Sequence, residues 1–439
     1  MAKSVLGVNL GNYSLKLVAL SRSGPRLSVL GLYTAPTREA IVSGEVIQPD
    51  VVATEIRNLL SRARGIGRDS VLSIGGQSGV VVRVTELPSM PRKELLQAIP
   101  YEIDRQIPFQ SGEAIKDFVL LKEPEEVPQG GQIPVLFAAA RSDLVDAYLA
   151  AVRQAGLSPI AVEVEPLAAI RAYLAFKGFY SDGEVPSDQV AILVNIGHEG
   201  TEISFVEGTT LLLTRTVPVG GRHFTEDIRD YLGLTMEEAE RVKIEQARAW
   251  FPEEAAPAGS STMPTATQEP EGHLPAAPME ERPAPPLEFS FDFTIPGPEE
   301  TGPAVPPAAP PTRPLEFVPS EEPSIPSYEA AAARSPEREC YEAILSRLTE
   351  LANEIHRSAE YLMSQRGSVN LEGVYLLGGG ALLTDLDRFL EHQLGVPVTL
   401  LNPFLHMDTS AVEAQFGKEY IQKMAPVFAI GVGLSLWVL

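Results

Sequence analysis

The sequence predicts an internally duplicated α/β protein with two related halves, an α+β insert in the first half and a long proline-rich insertion in the second. Three observations carry this expectation. Leu6-Gly-Val-Asn-Leu-Gly-Asn-Tyr-Ser-Leu-Lys16 and Ile192-Leu-Val-Asn-Ile-Gly-His-Glu-Gly-Thr201 use one device twice. In each, an apolar strand runs into Asn-(Leu/Ile)-Gly, turns tightly and returns as a second strand. A third glycine turn, Gly378-Gly379-Gly380, ends the apolar run Val374–Leu377. Finally, 20 of the 38 prolines fall between Phe251 and Ser335, with 14 acidic and 3 basic residues beside them, so that stretch reads as a disordered linker and the rest as folded.

The elements follow in order. Val5–Asn9, Leu15–Leu20 and Leu27–Thr34 alternate as strands, with turn signals at Gly11-Asn12 and Ser23-Gly-Pro25. Asp50 is expected to cap a helix through Leu60, and Val71–Ile74 and Val80–Val84 read as strands. A separate unit begins near Leu87-Pro88. Pro91 opens a helix through Ile103 with a Leu95, Leu96, Ile99, Ile103 stripe. Strands Phe118–Leu121 and Pro134–Ala140, helix Ser142–Ala155 and strand Ile160–Val164 complete an insert of about 75 residues, within the usual size of a small domain.

Helix Pro166–Phe176 leads to the second hairpin, then strand Thr214–Val217 and helices Phe224–Leu232 and Met236–Trp250. Beyond the linker come helix Pro336–Gln365, strand Val374–Leu377, helix Leu382–Leu394, strand Val398–Leu401 and a last helix from Pro426. The expected division is a first lobe at 1–86, continued by 162–186 and 404–439, an insert at 87–161, a second lobe at 187–250 and 336–403, and the linker at 251–335.

Composition narrows the function classes. The net charge is −23, and about half of it lies in the linker. An acidic surface argues against non-specific nucleic-acid binding and against docking on anionic lipid. Cys340 is the one cysteine, so no internal disulfide forms, which suits a reducing cytoplasm. Strand-like alternation follows Lys3 where a signal peptide would be apolar, and Ala425–Leu439 is shorter than the roughly 20 residues a bilayer span needs. The six histidines lack metal-ligand spacing, and neither a Walker P-loop nor a G-x-S-x-G elbow occurs.

Glycine lets backbone approach a ligand closely, and successive N–H groups in such turns form anion nests. Two facing hairpin nests and a Gly-Gly-Gly turn therefore read as a nucleotide clamp. In the first hairpin, Gly11, Asn12, Tyr13 and Ser14 would offer N–H groups to phosphates and Lys16 a positive charge. An ordinary turn with an exposed lysine is the plainer reading of that hairpin taken alone.

These residues resemble the actin-like ATPase superfamily over nearly the whole chain outside the linker. Within it, Ala98-Ile-Pro-Tyr-Glu-Ile-Asp-Arg-Gln-Ile-Pro-Phe109, Leu213–Ile228 and Tyr375-Leu-Leu-Gly-Gly-Gly380 resemble the PilM family of type IV pilus assembly. The resemblance implies a two-lobed molecule with ATP in the cleft, and a groove that takes the cytoplasmic N-terminal tail of the membrane protein PilN. It further implies other pilus assembly proteins as partners, and a cytoplasmic protein held at the inner membrane through its partner. A filament-forming cell-division protein like FtsA is the alternative, and a small-molecule kinase of the same superfold a third reading.

ATP-hydrolysing members of the superfamily usually carry carboxylates at the positions of Asn9 and Asn195. The resemblance therefore allows Mg²⁺, which these two amides would meet only through water, and implies weak or absent hydrolysis. It also places Asn195, Gly197, Glu199, Gly200 and Thr201 at the phosphates, Glu240 and Lys243 at ribose and base, and Gly378, Gly379 and Gly380 against the adenine. Glu165, with Glu199 second, is its candidate for orienting an attacking water. The plainer readings stay open: solvated strand-end carboxylates at 165 and 199, a solvated i,i+3 pair at Glu240 and Lys243, and a turn leading into a helix at 378–380. Tyr101, Glu102 and Arg105 would support the peptide groove or form a surface patch. The repeated Pro286-Leu-Glu-Phe289 and Pro314-Leu-Glu-Phe317 read as two short linear motifs.

Overall fold

In the computed structural model, residues 3–63, 65–75, 79–128, 130–182, 188–251, 335–367 and 369–439 are described. The acidic proline-rich stretch and both Pro-Leu-Glu-Phe repeats lie outside them.

The chain opens with β1 (Lys3–Leu10), β2 (Ser14–Ser23) and β3 (Arg26–Pro36), then a short hairpin, β4 (Ile41–Val42) and β5 (Glu45–Val46), then α1 (Pro49–Arg62) and β6 (Asp69–Ile74). The insert holds β7 (Val80–Pro88), α2 (Arg92–Gln106), β8 (Ala114–Leu120) and β9 (Gln132–Arg141). It leads to α3 (Ser142–Gln154), β10 (Ser158–Val164), α4 (Glu165–Phe176) and α5 (Phe179–Asp182). β11 (Val190–Ile196), β12 (Thr201–Glu207), β13 (Thr210–Val217), α6 (Gly221–Leu232) and α7 (Met236–Glu245) follow. After them come α8 (Pro336–Arg366), β14 (Leu371–Leu377), α9 (Leu386–Leu394), β15 (Val398–Leu400), α10 (Ser410–Phe416) and α11 (Lys418–Ser435).

Two five-stranded sheets share one topology. The first is ordered β10-β6-β1-β2-β3 and the second β15-β14-β11-β12-β13. In each, an antiparallel three-strand meander is extended by two parallel strands. The expected duplication is thus present strand for strand.

It also relocates one element. Ile160–Val164, expected to close the insert, belongs to β10 and pairs in parallel with β6 in the first sheet, and α3 packs on α1 in that lobe's core. A parallel pair needs a long crossover, and α3 supplies it, so β7, α2, β8 and β9 are spliced into a β6–α3–β10 crossover. The insert is a three-stranded sheet, β7-β9-β8, with Leu95, Ile99 and Ile103 of α2 packed on Ile133, Val135 and Phe137.

Other boundaries move for local reasons. Asp50 lies in the first turn of α1 behind Pro49, and Gln48 stands at the cap without a side-chain bond. The segment after α7 leaves the helix at Gln246 because Arg248 bridges to Thr384 and Ala249 N–H bonds to Thr384 O at 2.8 Å. That pairing also holds back α9, which starts at Leu386 after a 3₁₀ turn at Gly380–Leu382. The last helix begins at Lys418 and carries Pro426 inside it.

α11 covers the first sheet through glycine contacts. A Cβ on Gly7 would collide with the Gly431 carbonyl, and one on Gly433 with the Ala168 carbonyl of α4. Ser435 Oγ fixes the depth by accepting from Gly7 N–H at 2.9 Å and donating to Val18 O at 2.9 Å.

Candidate functional site

The hairpins bring their polar residues to the cleft in matched register. Asn9 on β1 lies directly opposite Lys16 on β2, and Asn195 on β11 directly opposite Glu202 on β12. Opposed residues of an antiparallel pair project from the same face. Each turn is closed by its own backbone, Gly11 N–H to Ser14 O at 3.2 Å and Gly197 N–H to Gly200 O at 2.9 Å.

Glu165 is where both hairpins converge. It follows β10 directly as the first residue of α4. Its Oε1 accepts from Asn9 Nδ2 at 2.8 Å and from Ser73 Oγ at 3.3 Å, and its Oε2 accepts from Asn195 Nδ2 at 3.4 Å. Asn9 Nδ2 also reaches Ser73 Oγ at 2.9 Å. An ionised carboxylate only accepts, so these contacts orient both amides with their NH₂ groups inward. Gly75 leaves room for the group, since a Cβ there would stand 2.8 Å from the carboxyl carbon.

Burial governs the charges. It pushes the Glu165 carboxyl up, against the opposing pull of Lys16 and the three donors. It pulls the Lys16 ammonium down to about 8, with the Glu165 charge offsetting part of that. The Glu202 carboxyl is driven well up by burial and by the Glu165 charge, and its Oε1 is sealed from solvent without a hydrogen-bond partner.

The tips of the two hairpins touch each other. Asn12 Nδ2 donates to Glu199 Oε2 at 2.5 Å, and Ser43 N–H, from the β4–β5 tip, donates to the same oxygen at 3.0 Å. Gly44 N–H returns to Asn12 Oδ1 at 3.0 Å, and Arg222 stands 3.7 Å from Glu199 Oε1. Tyr13 lies on His198 with ring centroids 5.1 Å apart. Burial, and next the Lys243 charge, bring the His198 imidazole down to about 4, so it is neutral at pH 7.

Glu240 and Lys243 are not a solvated pair. Lys243 Nζ bonds Gly221 O at 2.9 Å, Thr225 Oγ1 at 2.7 Å and Glu240 Oε2 at 2.6 Å, a partly buried network behind the start of α6. Gly378, at φ +87°, packs on the second hairpin, where a Cβ would collide with Ile196 O. A Cβ on Gly380 would collide with the Ile196 side chain, while Gly379 faces open space. Tyr101, Glu102 and Arg105 stay together on α2 in the insert, apart from the cleft. Tyr101 is 75% exposed, and Glu102 accepts from Gln106 Nε2 at 2.8 Å and Arg105 Nη1 at 3.4 Å.

Ser73 and Glu202 were not singled out from the sequence. The signal for Glu202 was present, because it follows Asn195 by the same seven positions that separate Lys16 from Asn9.

A family model described as type IV pilus assembly protein PilM matches residues 7–256, from the first hairpin through the insert and second hairpin. The chain belongs to the PilM family. The model for cell division protein FtsA matches residues 192–430, which leaves out the first hairpin and the insert that the PilM model spans. Among solved structures, a chain from a PilM-PilN type IV pilus biogenesis complex is 27% identical, with a TM-score of 0.69 over 98% of this chain and 97% of that one. The Bacillus subtilis (strain 168) cell division protein FtsA is 22% identical over 308 residues, 63% of this chain and 67% of the relative. The fold is therefore the actin-like one of the PilM family. Among the described residues, no helix is long and apolar enough to cross a membrane.

Proposed function

We propose that this protein is a nucleotide-binding adaptor of the type IV pilus assembly machinery, and that it grips the cytoplasmic tail of a PilN-type membrane protein. The observation that carries this reading is the likeness, over almost the full length of both chains, to a chain of the PilM-PilN complex. Its working parts are a first lobe that includes α3 and β10, an insert from β7 to β9, and a second lobe built on the β11–β15 sheet.

The tail would lie where the insert meets the first lobe. Ile115 and Val119 of β8 are exposed, and they share the sheet face of Ala140 and Leu136, which lie opposite them on β9. Leu136 packs into the cluster that contains Val5, Val71 and Ala168 of the first lobe. β8 and β10 are edge strands with unpaired backbone groups, a ready place for an extended peptide. Tyr101, Glu102 and Arg105 would act at the outer rim, and the membrane would be reached through the partner.

ATP would place its phosphates at Lys16 and the two hairpin turns, with the adenine over Gly379. Mg²⁺ fits only in company. Among the described residues, no three His, Cys, Asp or Glu side chains converge on a metal site, and near Glu165 the carboxylate oxygen without a hydrogen-bond partner is Glu202 Oε1. Mg²⁺ would therefore be held mainly by phosphate oxygens and water. When bound, the ion would neutralise phosphate charge. Both oxygens of Glu165 are engaged by Asn9, Ser73 and Asn195, which supports slow turnover, since the group is not free to orient a water.

The test is co-purification of the full chain with a synthetic PilN-type N-terminal peptide, with and without Mg-ATP. Retention of the peptide is expected, and no retention in either condition would end the adaptor reading. A sedimentation assay with ATP addresses the FtsA-like alternative, which predicts polymer.

A further inference from the structure

One side chain joins the two lobes across the hairpin tips. Glu199, in the β11–β12 turn, sets Oε2 against Asn12 Nδ2 of the β1–β2 turn at 2.5 Å and against Ser43 N–H of the β4–β5 turn at 3.0 Å. Its Oε1 has the Arg222 guanidinium 3.7 Å away. Both N–H donors belong to the lobe opposite its own. A carboxylate held by two such donors, with a cation at its other oxygen, has the surroundings that a bound phosphate oxygen takes.

The backbone is braced on both sides of this contact. Ser43 (φ +50°) and Gly44 (φ +79°) are both left-handed, as a two-residue hairpin turn requires, and a serine in that conformation is strained. The turn is held from behind, where the Tyr148 hydroxyl of α3 donates to Gly44 O at 2.9 Å and Arg141 Nη1 donates to Glu45 Oε1 at 2.8 Å. Asn12 is fixed by Gly44 N–H on its Oδ1 and by the Thr37 hydroxyl on its carbonyl oxygen at 2.5 Å. The second tip rests on the start of α6, since Gly221 N–H reaches Gly197 O at 2.9 Å and Arg222 N–H reaches His198 O at 2.8 Å. A Cβ on Gly220 would stand 2.6 Å from His198 O, so that junction has no slack. The part free to yield is the Glu199 side chain.

We infer that Glu199 is a resident anion that latches the ligand-free cleft, and that an incoming nucleotide must displace its carboxylate from Asn12 and Ser43 before its phosphates settle on the first hairpin. The inference rests on the nucleotide-binding reading above and concerns entry into the cleft. A site that is open for a fraction of the time captures ligand at a rate reduced by that fraction. The latch therefore acts on the on-rate. A Glu199 that instead touched the bound phosphates or their water would act on the off-rate.

The experiment has two arms on the full chain. In the first, hydrogen exchange without nucleotide follows residues 40–47, and Glu199→Ala should speed exchange there about 10-fold while leaving β1 and β11 as protected as in the parent, which rules out a folding defect. In the second, stopped-flow fluorescence follows binding of a fluorescently labelled ATP. Glu199→Ala should raise the on-rate about 10- to 100-fold, the range expected when hydrogen bonds to a charged group are removed from the closed state, and should leave the off-rate within about 2-fold. Glu199→Gln keeps an acceptor oxygen without the charge and should fall between the two. An on-rate for Glu199→Ala equal to or below that of the parent, or a faster off-rate with weaker binding, would overturn the latch. Unchanged exchange at residues 40–47 would do so without reference to any nucleotide. Failure of the parent and both variants to bind the labelled ATP would remove the nucleotide reading itself, and this inference with it.

Discussion

Replacing Lys16 with methionine is expected to stabilise the ligand-free protein while weakening its hold on ATP. The ammonium sits at about 8 instead of its ordinary 10.5 because it is buried, and Glu165 compensates only in part. At about 1.4 kcal/mol per pH unit, the gap corresponds to about 3 kcal/mol that the folded state forgoes to keep the group charged. Methionine keeps an unbranched apolar stem and removes the charge. It also loses the bond to the Ser14 carbonyl, worth about 1 kcal/mol net, and the cation that eases Glu165. A net gain of about 1–2 kcal/mol remains, or roughly 1–3 °C in melting temperature for a folded unit of this size.

The sign fixes a pH signature. The unfolded lysine keeps its proton to about 10.5 and the folded one releases it near 8, so the unfolded state binds more protons between those values. Parent stability therefore recovers as pH rises through that window, and the advantage of Lys16→Met should shrink from pH 7 to pH 10. Thermal unfolding followed by circular dichroism at both pH values reads it. A variant that melts below the parent at pH 7, or one whose offset does not change with pH, would refute the claim that burial of this ammonium is a cost.

Three further outcomes follow from the geometry. Gly378→Ala puts a side chain at φ +87° against Ile196 O and should cost about 2–4 kcal/mol in urea unfolding, whereas Gly379→Ala, facing open space, should cost under about 1 kcal/mol, so equal losses would contradict the packing. Glu372 accepts from Tyr173 and Tyr375, each at 2.6 Å, and from Lys177, so Glu372→Gln should lose about 2 kcal/mol. Burial raises that carboxyl, but the lysine and the two hydroxyls outweigh it and hold it below its ordinary value, so its contribution is present above about pH 4.5 and fades on acidification below that. Thr235→Ala removes the cap of α7, where Glu238 N–H reaches Thr235 Oγ1 at 3.3 Å, at a cost of about 1 kcal/mol measured by the shift in denaturant midpoint.

Local pattern carried much of the fold. Each hairpin is written in alternation plus a glycine turn, so both hairpins and their order could be read directly. The location of β10 could not, because alternation identifies a strand without naming its neighbour, and the partner, β6, lies across the whole insert. The end of α7 was hidden for the same reason: Thr384, which draws Arg248 and Ala249 out of the helix, is more than a hundred residues away. In the cleft, the two asparagines were visible as missing carboxylates, while their shared grip on Glu165 depends on three strand ends meeting. Glu240 and Lys243 look solvated by spacing alone, and only the fold of α6 against α7 buries them.

The seating of α11 on β1 also bears on how the protein is made. The hydrogen bond from Gly7 to Ser435 joins residues 428 positions apart, and the helix that supplies Ser435 has 18 residues. While the ribosome is still translating, the first sheet has strands and a meander but lacks the helix that covers one face. The second sheet meets the same helix along one side, where Leu193 and Leu377 pack with Ile430 and Gly378 N–H bonds to Pro426 O at 2.9 Å. The lobe synthesised first is therefore completed last, and its open apolar face is the part of the nascent chain that a chaperone would have most reason to hold.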